Sequence, residues 1–474
     1  MTRIEDLPYD IFPLIFQHVP NRSTVYNACL VCKTFAEVST PSLYSTLTLW
    51  AVDWGLEKGP WPTIVAKPQY AEHVLYLHIV PQARAQRDTT SELGALLPRL
   101  INLRALKILT PGRNVFEPYD YTSTFTFLSS LLFRNSRRLR ALTFAGHFQW
   151  TDPFSPFQHF SNVRHVTICG FDRTLWGLPR DDTHRFATDS TSHHIDQLSQ
   201  LALTTAQHVE SFEIEGHWAF SRAQHSMLYC LSKMTNLIRL DLTKLRGTIP
   251  MSELLPVVLK LRCLEHLSLV YLHDERWVAP EIPQQQSLPR LSSFTVAFRD
   301  VEIRADFDRL WLWILNFTKY CTLRHLVVRP LAKNGCKIRK AMKACITTHK
   351  SSLRTLRLEY TVIAQNDLRA LLIELPDLVE FAFSANKGDI VKTFTGDRRA
   401  ETLSLEKLDM RFHAVGDHFN SNDAARLMDS IPRLRHLAVN DYLWERYWLR
   451  DEDGNVYRDV TEPVKFRTEK DLLF

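Results

Sequence analysis

Two cysteines one helical turn apart, Cys29 and Cys32, are the first residues whose type and spacing suit chemistry. A Cys-x-x-Cys pair supplies half of a tetrahedral zinc site or a thiol couple, and a structural zinc needs a second pair of thiolates or imidazoles. No second Cys-x-x-Cys follows, so two helix-packed thiols are the expectation and no metal is assigned. His193-His194 has no acid or cysteine at ligand spacing and reads as a solvated pair. Two basic runs, Arg137-Arg138-Leu139-Arg140 and Lys337-Ile338-Arg339-Lys340, have the charge to hold phosphate. Each stands beside apolar residues, and the reading given to both is a solvated face, with a nucleic-acid patch the competing reading. No phosphate-cradling glycine loop and no Gly-x-Ser-x-Gly elbow occurs, and 14 glycines leave few such loops available. The expectation is a chain with no catalytic residue, no cofactor and no enzyme activity of its own.

The elements that would carry any function must fit a chain of 474 residues, longer than one ordinary compact core, and therefore either several domains or a repeat array. No apolar run approaches the roughly 18 residues that would span a bilayer, and Met1 to Asp6 lacks the apolar core of a leader peptide. Eight cysteines scattered inside apolar patterns suit buried thiols in a reducing compartment. The expected location is the cytoplasm and/or nucleus, with no membrane contact. A net charge of +6 that is dispersed along the chain argues for no nucleic-acid partner.

The densest apolar pattern lies in the first fifty residues. Leu7-Pro8 favours a helix start, and Ile11, Leu14, Ile15, Phe16 and Val19 then recur at steps of three and four, one wide face of an amphipathic helix. After Pro20-Asn21-Arg22-Ser23, a second helical pattern runs through Val25, Ala28, Cys29, Leu30, Cys32 and Phe35. Two short helices cannot hide that much apolar surface between themselves, so an obligate partner is expected. Ile4, Leu7, Pro8, Asp10, Ile15, Phe16, Val31, Cys32, Lys33 and Phe35 together closely resemble an F-box, with Asp10 and Phe35 standing where that family usually has Glu and Trp. The resemblance implies docking on a Skp-type adaptor and, through it, on cullin and RING subunits of a ubiquitin ligase. Its implied adaptor contacts are Leu7, Pro8, Ile11, Ile15, Phe16, Leu30, Val31, Lys33 and Phe35. A two-helix cap on a larger domain is the plainer reading of the same residues.

Past residue 70 the pattern apolar-x-x-apolar-x-apolar recurs thirteen times, from Val74 to Leu434, mostly at intervals of 24 to 32 residues. Leu237 to Leu242, Leu264 to Leu269 and Leu353 to Leu358 show it most cleanly. The last two apolar positions alternate as on a short strand with one buried face, and helical stretches such as 308–320, 337–347, 367–375 and 424–431 lie between units. One strand and one helix per unit resembles a degenerate leucine-rich repeat. The implied fold is α/β: a small helical F-box, then a ribonuclease-inhibitor-like solenoid of parallel strands and helices curved into a horseshoe. The Asn or Cys that family repeats carry three places after the last apolar residue is absent, those places holding Pro111, Leu245, Leu272, Leu331 and Thr361.

The expected organisation is 1–49 F-box, 50–70 a Trp/Pro/Gly-containing connector, 71–440 the solenoid of about 13 units, and 441–474 a capping tail. Longer intervals near 111–130 and 171–200 are insertions, read either as binding loops or as tolerated surface loops. Side chains between the last two apolar positions and beside them face out of the core, which makes Glu213, Glu215, Arg239, Asp241, Arg329, Arg357, Glu359, Asp409 and Arg411 the candidate substrate surface. An evenly solvated sheet face is the competing reading. By resemblance the chain is the substrate-recognition subunit of an SCF-type E3 ligase, its protein substrate unknown. The alternative is a leucine-rich interaction scaffold acting outside any ligase.

Overall fold

The computed structural model describes residues 8–19, 21–50, 61–80, 97–109, 130–145, 160–169, 205–216, 221–245, 249–272, 282, 284–299, 304–330, 336–337, 340–385, 388, 390, 393–394, 403–412, 419–440, 442–450, 456–460 and 464–465. Nearly all of both expected insertions, residues 51–60 of the 50–70 connector and His193-His194 lie outside them. The chain divides into two compact units, Met1–Leu237 with Lys244–Thr248, and Ile238–Thr243 with Ile249–Phe474.

The first unit opens with three helices: α1 (Ile11–Gln17), α2 (Arg22–Cys29) and α3 (Lys33–Tyr44). The sequence pattern from Val25 to Phe35 reads as one helix, and the structure corrects this to two. The break falls at Leu30 to Cys32 because Cys32 is extended and caps α3, its Sγ accepting the Phe35 N–H at 3.4 Å. At the other end of α2, the Asn21 side chain accepts the Ser23 N–H at 2.9 Å and so satisfies a donor that the helix itself leaves free. Phe12, Phe16 and Val38 form the core of this small bundle, with Val19, Ala28 and Phe35 packed against it. The Phe35 ring lies 5.2 Å from Phe12 and 5.8 Å from Phe16, within the range of favourable aromatic pairing.

Directly after α3 the chain enters strand β1 (Thr46–Trp50), one strand ahead of the first expected unit. Leu47-x-Leu49 supplies it, and it pairs in parallel with β2 (Tyr76–Val80). The parallel ladder continues through β3 (Ala105–Leu109), β4 (Ala141–Ala145), β5 (His165–Cys169) and β6 (Ser211–Gly216). In the second unit β7 (Arg239–Leu245) leads to β8 (His266–Leu272), β9 (Ser293–Arg299), β10 (His325–Pro330), β12 (Thr355–Val362), β13 (Glu380–Ala385), β14 (Lys407–Phe412) and β15 (His436–Val439), again all parallel. A two-residue strand β11 (Cys336–Lys337) pairs with the end of β12. Helices Arg304–Thr318, Lys340–Thr348, Gln365–Glu374 and Ser421–Ser430 fall within a few residues of the stretches read as helical. This is the expected architecture of N-terminal helices followed by repeating strand and helix units.

The repeat works because its three apolar positions all enter the core. Leu103, Leu106 and Ile108 in the first unit, and Leu353, Leu356 and Leu358 in the second, are each at most 1% exposed. Burying one such side chain contributes roughly 1.5–3 kcal/mol, so each unit is stable only when stacked on a neighbour that completes its burial. In place of the absent Asn/Cys turn, the carbonyl just before each strand accepts two N–H groups from the next unit. Leu75 and Tyr76 donate to Ser45, Arg104 and Ala105 to Leu75, Arg140 and Ala141 to Arg104, and Arg164 and His165 to Arg140. The second unit repeats this from Ile238 to Glu406. Asparagines do contribute, but ahead of the first apolar position: Asn102 donates to the Glu72 carbonyl at 2.7 Å and Asn236 to the Gln207 carbonyl at 2.8 Å.

At the C-terminal end, Asn440 takes a left-handed backbone conformation (φ 55°), and the chain turns back. Strand β16 (Tyr442–Arg450) then covers the edge of β15 in antiparallel register, and pairs in turn with β17 (Val456–Val460) and β18 (Val464–Lys465). Trp444 is 2% exposed, and the buried Arg446 donates to the Pro432 carbonyl at 2.8 Å. That carbonyl lies just beyond a helix C-terminus, where the peptide dipoles favour a cation.

Candidate protein-docking surfaces

Two surfaces carry the residues singled out from the sequence. On α1–α3, packing splits the apolar residues into two sets. Phe12, Phe16, Val25 and Val38 turn inward, while Tyr9, Ile11, Leu14, Ile15, Tyr26, Leu30 and Val31 remain exposed, Leu30 and Val31 at 69% and 70%. The bundle thus has its own core and still leaves large apolar side chains in water, a pattern that soluble surfaces reserve for interaction.

Of the expected adaptor contacts, Pro8, Ile11, Ile15, Leu30, Val31 and Lys33 are exposed, and Lys33 lies 3.9 Å from Glu37. Phe16 is 8% exposed and Phe35 is half-buried against it, so these two side chains hold the bundle together from inside. Leu7 lies outside the described residues. Leu14 is 57% exposed and sits in the stripe already visible in the sequence, although it was not among the expected contacts. Tyr9 and Tyr26 offered no sequence signal beyond being aromatic. Cys29 Sγ lies 2.9 Å from Ser39 Oγ, whereas Cys32 caps α3, so the pair serves two separate local roles. Among the described residues no group of His, Cys, Asp and Glu is placed to hold a metal.

The second surface is the outward column of the strands. The residue between the last two apolar positions of each unit does fall in register: His78, Lys107, Thr143, Thr167 and Glu213 in the first unit, and Asp241, Ser268, Thr295, Val327, Arg357, Ala382 and Asp409 in the second, although Ala382, expected to face outward, is 2% exposed. Glu213 is half-exposed, and Glu215 continues the same strand opposite Cys169. Arg239 sits 3.8 Å from Asp241, whose carboxylate also accepts the Thr243 N–H and hydroxyl at 3.0 and 2.7 Å.

Arg357 is the centre of a network. It meets Glu359 at 3.7 Å on its own strand, Glu380 at 2.6 Å on β13 and Asp409 at 2.9 Å on β14. Burial opposes the charged guanidinium, yet the three carboxylates hold its pKa above the ordinary value. Burial raises the Asp409 carboxyl, and Arg357 and Arg411 pull it only part of the way back. The partner missing from the sequence reading is Glu380. It stands two positions before Ala382, the column residue of its strand, and faces Arg357 only because the strands align. Arg329 is half-exposed, and its Nε has no hydrogen-bond partner among the described residues. The charges expected to meet a substrate are therefore spent in part on one another.

Residues 4–50 match the family model described as F-box-like, and the chain thus begins with an F-box-like domain. No curated protein matches the chain by sequence. Among solved structures, the chain is similar to one from the crystal structure of the Rad7 and Elc1 complex in yeast, with a TM-score of 0.37 and 13% identity, covering 91% of this chain and 90% of that one.

Proposed function

We propose that this protein is the substrate-recognition subunit of an SCF-type ubiquitin ligase: its F-box-like helices dock on a Skp-type adaptor, and its repeats hold a protein substrate. The observation that carries the reading is the exposed apolar set on α1–α3. Ile11, Leu14, Ile15, Leu30 and Val31 stay in water although the bundle beneath them is packed, so this surface serves something other than the fold. Adaptor docking would join the chain to cullin and RING subunits. The chain itself makes and breaks no bond in this reading; its contribution is proximity, which raises the effective concentration of a substrate lysine near the conjugating enzyme.

The test is capture of a purified Skp-type adaptor by the full-length chain, with Leu14→Asp/Leu30→Asp alongside. Saturable binding that the double variant loses while keeping its thermal transition supports the reading. Absence of binding by the unaltered chain overturns it in favour of a scaffold whose first helices act apart from any ligase.

A further inference from the structure

The basic run Arg137-Arg138-Leu139-Arg140, which reads as a solvated face in the sequence, has company in the structure. Arg104, Arg140 and Arg164 are the residues immediately before β3, β4 and β5, whose first residues Ala105, Ala141 and His165 pair in register. The carbonyl ladder locks these three backbones together, so their side chains leave the sheet margin at the spacing of adjacent strands, ~4.8 Å. Arg137 and Arg138 stand in the turn ahead of β4, and Arg22 faces them from the first turn of α2. All six line one cleft of about 1400 Å³, inside the first compact unit, between α1–α3 and the leading ends of the strands.

The cleft carries more cationic than anionic groups. Against six guanidiniums its lining offers one carboxylate, Glu72, and Arg99 already holds that at 3.3 Å. Arg164 has Glu210 as its ion partner, and Arg138 donates to the Ile101 carbonyl and to Asn102. Among the described residues no carboxylate lies within ion-pair distance of Arg104, Arg137 or Arg140, and all three are exposed. Gathering like charges at one margin costs self-repulsion, which an anionic ligand would relieve.

The opposite wall is different. Val19 and Leu43, backed by the buried Val25, give the cleft an apolar side on the helices, while Leu75 lies beside Arg104 on the strand margin. At about 1400 Å³ it exceeds the roughly 300–1,000 Å³ that encloses a small-molecule ligand, which argues against a free phosphate. A nucleic-acid strand would want several aromatic faces for its bases, and the lining has one exposed ring, Tyr76. We infer that this cleft binds an extended acidic peptide segment of a partner protein, its carboxylate or phosphoryl groups on the arginines and its apolar side chains on the helix wall. The site stands whether or not the first helices dock on an adaptor.

Fluorescence anisotropy of the full-length chain tests this with a labelled twelve-residue peptide in which Glu alternates with Leu and Ser. The expected result is saturable binding, weakened at least tenfold by Arg104→Gln/Arg140→Gln and further by Arg104→Glu/Arg140→Glu. It is left within twofold by Arg324→Glu/Arg354→Glu, which makes the same charge change at the same register position in the other unit. A version with phosphoserine in place of two Ser separates the sources of charge: stronger binding assigns the site to phosphorylated segments, and equal binding to carboxylates. The inference is overturned if the peptide does not bind, if both pairs of variants weaken it equally, or if single-stranded oligo(dT) of equal charge binds more tightly than either peptide.

Discussion

The first helices and the second compact unit are both rich in large apolar residues, and they dispose of them in opposite ways. Between Tyr9 and Val31, seven large hydrophobic side chains are exposed; between Ile238 and Asn440, among the described residues, only Leu312, Tyr320 and Ile373 are. In the repeats every apolar residue of the pattern has a neighbouring unit to cover it, including the Phe294, Trp313 and Phe317 cluster, whose ring centroids lie 5.1–5.8 Å apart. Among the described residues the helices have no neighbour over their outer face. Apolar content alone therefore does not distinguish core from interface. What distinguishes them is whether the fold itself supplies the covering surface, and only the repeats do so.

The contrast breaks first if the repeat core proves loosely packed. Trp313→Ala is expected to lower unfolding free energy by about 3–5 kcal/mol in urea denaturation, because the stacked units cannot collapse into the space left behind. A cost below about 1 kcal/mol would mean that the burial is not structural.

A smaller effect comes from a polar group caught in that core. His349 is 2% exposed, its Nε2 2.9 Å from Thr318 Oγ1, and burial pushes its pKa from 6.5 down to about 4. Its folded value lies below the unfolded one, so between those values the unfolded chain binds more protons. Stability contributed by the neutral ring is then complete above pH 6.5, falls as pH drops toward 4, and is flat below. The loss is at most about 3 kcal/mol. Denaturation curves across that range should show the slope, and His349→Gln should flatten it.

Smaller again is the Arg357 network. Its members are only partly exposed, and Arg357→Met would leave Glu359, Glu380 and Asp409 facing one another without a cation. The expected cost is about 1–3 kcal/mol at pH 7, discounted for residual solvent, and less at pH 4, since loss of the guanidinium raises Asp409 further. An equal cost at both pH values would show that the carboxylates are not held by Arg357.

The repeats were legible because their signal is redundant. The spacing of apolar residues marks strand, buried face and register at once, and each unit repeats it, so the column aligned in register, with Ala382 the member that is buried instead of outward. What escaped depended on single residues or on the assembled sheet. β1 rests on Leu47-x-Leu49 alone, and the break between α2 and α3 rests on one cap at Cys32. Asn102 and Asn236 satisfy turn carbonyls from a position ahead of the pattern rather than behind it. Glu380 and the Arg104, Arg140 and Arg164 column are invisible along the chain, because only strand pairing makes neighbours of them.

The smallest expected change in stability belongs to the exposed helical face. Leu14→Asp/Leu30→Asp removes no buried contact and should shift unfolding free energy by no more than about 0.5 kcal/mol. Its effect on association should be the largest of all. Titration calorimetry of the full-length chain against a purified Skp-type adaptor is the decisive measurement: saturable binding that the double variant weakens at least a hundredfold at unchanged stability is the predicted result. Equal binding by both proteins, or none by either, would contradict it.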